Sequence, residues 1–168
     1  MFEGCEMEGN ERRIYHGLGE FLTDLRMIMS RRREIRPLMQ GDIITPAFRE
    51  RLMLTVTAVN NCRYCSYGHA RAALSEGVSQ EEIEALGNGF FDGSPVEEVP
   101  AMLYAQHWAE TNGKPEPSVR DQVVARYGEQ TVEAMELAMR MIRMGNLSGN
   151  TFDYFLHRIS FGRLGEWS

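Results

Sequence analysis

The chain is predicted to be all-α, and three observations predict it. Apolar residues recur at three- and four-residue spacing along most of its length. Helix-start signals, among them Thr45-Pro46, Ser79-Gln80-Glu81-Glu82 and Ser94-Pro95, are separated by glycine stops. No stretch shows the strict alternation of a half-buried strand.

Between Glu11 and about Met39, Ile14, Leu18, Phe21, Leu22, Leu25, Ile28 and Met29 mark an amphipathic helix, weakened in its first half by Gly17 and Gly19. Arg31-Arg32-Arg33 with Arg36 reads as a solvated helix end, where guanidinium groups complement the helix dipole. Gly41-Asp42 is a break. Thr45 then caps, and Pro46 opens, a helix carrying Phe48, Leu52, Leu54, Val56 and Val59 as far as Asn60-Asn61. The next helix runs from Cys62 to about Glu76 and stops at Gly77.

Ser79 opens a short helix to Leu86, and the glycines around Phe90-Phe91 make a turn-rich connection. A helix follows from Ser94-Pro95, or properly from near Pro100, to about Thr111. After the loop Asn112-Gly113-Lys114-Pro115 come helices from Ser118 to Tyr127 and from Gln130 to Arg143. Asn146 and Gly149 are expected to interrupt before a last helix from Thr151 to Ile159. Met135, Met139, Met141 and Met144 are read as core filling, since methionine adapts to irregular gaps. The whole is expected to be one domain: a helical extension (1–40), a motif region (45–90) and C-terminal helices (94–160).

Composition narrows the function classes. The 168 residues are 43% hydrophobic and 25% charged, as in an ordinary globular protein. A net charge of −6 argues against general attraction to nucleic acid or anionic membranes. No apolar run approaches the ~20 residues of a membrane span. The start, Met1-Phe2-Glu3-Gly4-Cys5, lacks a secretory apolar segment, so a cytoplasmic location is expected. In a reducing compartment, three cysteines suggest redox or metal chemistry before a structural crosslink. Cys5 has nothing near it in sequence that would activate it and is read as an incidental thiol.

The chemistry concentrates in Asn61-Cys62-Arg63-Tyr64-Cys65-Ser66-Tyr67-Gly68-His69, a C-x-x-C-x-x-x-H motif. On a helix, Cys62, Cys65 and His69 fall within roughly 60° of one face. With Asn61 as cap, the first thiol would sit near exposed backbone N–H groups, which favour thiolate. Lowering a cysteine pKa by about 1.5 units takes roughly 2 kcal/mol of preferential thiolate stabilisation. Cys65, one turn before His69, is the expected attacking thiolate, with Cys62 resolving its sulfenic acid to a disulfide. The reverse order is the alternative, because Cys62 is nearer the helix end. His16, His107 and His157 are isolated and read as ordinary side chains, and Tyr64 and Tyr67 as walls of the site.

The segment Arg49-Glu50-Arg51-Leu52 through Cys62-Arg63-Tyr64-Cys65 to His69 resembles the AhpD-like, carboxymuconolactone decarboxylase superfamily. Glu50 stands where the redox-active branch has a glutamate ahead of the first cysteine, and Ser79-Gln80-Glu81-Glu82 and Gly145-Asn146-Leu147 resemble its later segments. The resemblance implies an all-helical fold with the cysteine pair at a helix N-terminus, assembled as trimers or hexamers. It implies thiol-dependent reduction of hydroperoxides or disulfides through a redox-active disulfide, without organic cofactor or metal. Cys65, Cys62, His69 and Glu50 would be catalytic, with Glu50 orienting His69 and relaying its proton. The reductant would be a thioredoxin-like or lipoylated dithiol protein. Some members carry histidine where Tyr64 stands, and tyrosine is a poor base near neutral pH.

Two rival chemistries fit the same residues. Cys62, Cys65, His69 and Glu50 are ligand types that zinc takes, although three on one helix restrict a tetrahedral site. A lactone-directed lyase would use His69 and Glu50 as acid and base without the thiols. A helical binding protein with idle thiols is a third reading.

Overall fold

The computed structural model describes residues 11–164, so Cys5 lies outside the described residues. Among these are eight helices and no strand: α1 (Leu18–Ser30), α2 (Arg32–Gln40), α3 (Pro46–Asn60), α4 (Arg63–Ser75), α5 (Gln80–Gly87), α6 (Val99–Glu110), α7 (Pro117–Tyr127) and α8 (Glu129–Ile159). The fold is all-α, as its periodicity predicts. Among the described residues, no helix is long and apolar enough to cross a membrane.

Helix α3 is the axle. It packs against α4, α5, α6 and α8, and nearly every residue from Phe48 to Asn60 is buried. Its start follows the expected chemistry: Thr45 Oγ1 accepts the Phe48 N–H at 3.1 Å, and Pro46 takes the first position. Leu52 and Val56 share one core with Met102, Trp108, Met135 and Met139, all essentially inaccessible. Of the four methionines read as core filling, Met135 and Met139 are fully buried here and Met141 packs against the same core.

A helix buried all round must partner its charges internally. Arg51 does so through Glu82 (Nε–Oε1, 2.7 Å) and Glu98 (3.2 Å), with Ser94 donating to the same Glu82 oxygen at 2.6 Å. This ties α3 to α5 and to the turns before α6. Ser79 caps α5 as expected, accepting the Glu82 N–H at 3.1 Å, while the Glu82 carboxylate turns inward to Arg51. Helix α6 begins at Val99 with Pro100 second, the later of the two expected starts.

Two expectations fail. The segment 11–39 is not one helix: α1 begins at Leu18, and Arg31 (φ −106°, ψ 18°) separates it from α2. The Arg31 guanidinium holds that corner through Glu34 and the Glu133 carbonyl of α8. Arg32 and Arg33 consequently lie in the first turn of α2 and do not complement a helix C-terminus. Of the apolar residues of α1, Ile28 is buried, whereas Leu18, Leu22 and Met29 are exposed.

The second failure is at Asn146 and Gly149, where α8 continues unbroken through 31 residues. Tertiary contacts override the local preference. Asn146 and Asn150 bond to α3, with Asn60 Nδ2 donating to Asn146 Oδ1 at 3.1 Å and Asn150 Nδ2 donating to the Asn60 carbonyl at 2.8 Å.

Candidate active site

The cysteine motif sits where α3 ends and α4 begins. Asn61 closes α3 in the left-handed conformation (φ 51°, ψ 55°), which asparagine tolerates better than most residues. Asn61 is therefore not the cap of α4, contrary to expectation. Cys62 itself is the N-cap (φ −101°, ψ 103°), so the thiol stands at the helix N-terminus.

Cys62 is fully buried and Cys65 half-buried; both are free, with their sulfurs 2.8 Å apart. The Cys62 pKa is lowered to about 6. The first cause is the hydrogen bond from the Cys65 thiol, and burial opposes it. Although the sulfur makes no formal capping hydrogen bond, the backbone N–H groups of Cys65 and Tyr64 and the Asn146 side chain add to the stabilisation. The Cys65 pKa is raised, because its proton is held by Cys62 and because the group is buried. The resting charge thus belongs on Cys62. The helix terminus and the shared proton favour charge on Cys62, the alternative that its place near the helix end offered.

On α3, Glu50 is 3% exposed and bridges two partners. Its Oε2 is 2.7 Å from His69 Nδ1, and its Oε1 accepts from Arg49 Nε at 3.2 Å and Nη2 at 3.0 Å. Arg49 is itself fixed by the carbonyls of Leu38 and Met39. Burial alone would raise the Glu50 pKa, but the hydrogen bond and charge of His69, then those of Arg49, hold it below the usual carboxylate range. An ionised Glu50 accepts the Nδ1–H proton and leaves Nε2 as the free ring nitrogen. The structure therefore forms two pairs, Cys62–Cys65 and Glu50–His69. Helix α4 joins them, with His69 one turn beyond Cys65. Among the described residues, no three Cys, His, Asp or Glu side chains are placed to hold a metal ion.

Sequence reasoning missed the third wall of the site, supplied by α8. Asn146, wholly buried, bonds to Asn60 and to Thr57 (Nδ2–Oγ1, 3.1 Å) and faces both sulfurs. At Gly149 a β-carbon would lie 3.3 Å from Cys62 Sγ, so glycine permits the approach of α8 to the thiol. Asp153, 1% exposed, accepts the Tyr64 hydroxyl at 2.8 Å and is ion-paired with Arg63 (3.3 Å) and Arg12 (3.4 Å). Tyr64 is thus anchored as a wall. Asn146, Gly149, Asn150 and Asp153 recur at three- and four-residue spacing, the pattern of one helix face. That stripe was the available signal. Of the other histidines, His107 pairs with exposed Glu116 at 2.5 Å, and His16 is exposed.

No curated protein and no solved structure matches the chain. Residues 35–111 match the model of the carboxymuconolactone decarboxylase family, a stretch from α2 to the end of α6 that holds Glu50, Cys62, Cys65 and His69 but not the α8 wall. Over that segment the chain is similar to the carboxymuconolactone decarboxylase family.

Proposed function

We propose that the protein is a thiol-dependent peroxidase or disulfide reductase working through the Cys62–Cys65 pair. The carrying observation is the 2.8 Å contact between two free sulfurs at a helix N-terminus, with the charge of the pair stabilised near neutral pH. A dithiol so poised closes to a disulfide with little movement.

Cys65 is the sulfur a substrate can reach, since Cys62 is buried. In the proposed cycle the Cys62 thiolate takes the Cys65 proton across their contact as Cys65 Sγ attacks the distal peroxide oxygen. The S–O bond forms, the O–O bond breaks, and the alkoxide leaves as the alcohol on receiving a proton. Cys65 is oxidised to sulfenic acid and the peroxide is reduced. Cys62, losing its proton again, attacks that sulfur and displaces hydroxide, which leaves as water. His69, oriented by Glu50, supplies and receives these protons. A dithiol protein, thioredoxin-like or lipoylated, then reduces the disulfide by exchange. A disulfide client would enter at the same sulfur. The reading further places the protein in the cytoplasm as a homo-oligomer, without cofactor or bound metal.

The Glu50–His69 pair also favours a second reading, acid–base chemistry on a lactone, since the family includes decarboxylases and the pair needs no thiol. Intact-mass measurement of reduced protein, before and after a stoichiometric amount of hydroperoxide, tests the first reading. Rapid loss of two hydrogens, mapped to a Cys62–Cys65 bridge, is expected. An unchanged mass would leave the lyase reading in its place.

A further inference from the structure

A cavity of about 1030 Å³, lined by neither cysteine, lies between residues 11–16, α1, the loop after α6, and α8. Its volume is at the upper end of small-ligand pockets. Its walls carry five Arg and Lys side chains, Arg12, Arg13, Lys114, Arg140 and Arg143, against the acidic Glu11, Glu20 and Asp24.

The internal pairing leaves positive charge over. Buried Asp24 accepts from Arg140 Nη1 at 3.1 Å, from Arg143 Nη1, and from the Tyr15 hydroxyl at 2.8 Å, so one carboxylate faces two guanidinium groups. Arg13 directs Nη1 to the backbone carbonyls of Ala109 (2.5 Å) and Glu110 (3.4 Å), with no carboxylate hydrogen bond among the described residues. Its charge is disfavoured first by burial and also by Arg143, with Glu110 opposing. Each guanidinium has five N–H donors, and these bonds use few of them. Burying a cation is costly unless it is paired, and an oxyanion pairs with a guanidinium through strong charge-assisted bonds.

We propose that this cavity binds a small multivalent oxyanion, carboxylate- or phosphate-bearing, held by Arg13, Arg140 and Arg143 with Lys114 at the loop. A guanidinium takes two oxygens of either group in its fork, which is the chemistry the two classes share. The site is independent of the thiol reading.

Isothermal titration of the full-length protein with citrate and with inorganic pyrophosphate, at constant ionic strength, tests it. Saturable binding of at least one probe is expected, and which one binds distinguishes carboxylate from phosphate. Arg13→Gln keeps a donor for the carbonyls and is expected to weaken binding about tenfold or more, Lys114→Gln somewhat less. Arg33→Gln, on an exposed part of α2, should leave affinity unchanged. A Cys62→Ser/Cys65→Ser protein should bind as the parent does, whatever its peroxidase activity. Absence of saturable binding to both probes in a folded protein, or equal weakening by Arg33→Gln, would overturn the proposal.

Discussion

Glu50 Oε2 and His69 Nδ1 stand 2.7 Å apart, joining the central helix α3 to the cysteine-bearing helix α4. The same carboxylate receives Arg49, so its charge is both needed and held. Glu50→Gln removes the charge while keeping nearly the same volume. Peroxide turnover is expected to fall by roughly 10²-fold, the lower end for a positioned acid–base group. The pH profile should change shape on its acid limb. Steady-state rates across pH check this; an unchanged profile would make Glu50 merely structural.

The thiol pair makes a prediction about pH with a definite sign. Cys62 has a folded pKa of about 6 against an ordinary value of 9.0. A depressed acid pKa adds stability that is present above the ordinary value and lost as pH falls through the folded one. Reduced protein should therefore gain stability between about pH 6 and 9, and Cys62→Ser should flatten that rise. Above 9 the raised Cys65 pKa acts against further gain. Denaturant midpoints with and without reductant, together with thiolate absorbance, read the window directly. Glu50, also depressed, gives a separate stabilisation that is lost as pH falls below the ordinary carboxylate value of 4.5.

Assignment of the two sulfurs is testable by trapping. Cys65→Ser should give no sulfenic acid with peroxide, because buried Cys62 cannot meet the oxidant. Cys62→Ser should still form a trappable sulfenic acid on Cys65, at a rate at least about tenfold lower, having lost its thiolate partner. Mass spectrometry after dimedone treatment separates the two. A strong adduct on Cys62 in the Cys65→Ser protein would reverse the order.

What could be read from residues alone was local. Thr45-Pro46 and Ser79 fix helix starts through contacts within three residues, so those starts were legible. The C-x-x-C-x-x-x-H spacing was legible because one helix carries it. Glu50 came from the family resemblance, since nothing local links it to a histidine 19 residues on. The charge on Cys62 was legible only as an alternative, from its nearness to a helix end; its cap position depends on Asn61 ending one helix so abruptly that Cys62 begins the next. Asn146 and Asp153 were missed for a related reason. Their partners lie 86 to 90 residues away, and local propensity reads such a stretch as a break.

The α8 wall supplies the last prediction, a contrast between two glycines of one helix. At Gly149 a new β-carbon meets Cys62 Sγ at 3.3 Å, and that sulfur is itself held by Cys65. At exposed Gly145 nothing lies within 4 Å. Replacing a helical glycine by alanine gains up to about 1 kcal/mol from backbone entropy. Gly145→Ala should show that gain. Gly149→Ala should lose it to crowding of about 1–3 kcal/mol, leaving a net destabilisation. Pressure on Cys62 should also disturb its contact with Asn146, so the thiolate titration of Gly149→Ala is expected to move upward from about 6. Asn146→Leu should raise it too, by removal of a donor, and leave buried Asn60 short of a partner. Thiol reactivity measured against pH in the three variants decides it: if Gly149→Ala titrates and unfolds as Gly145→Ala does, α8 does not shape the thiol.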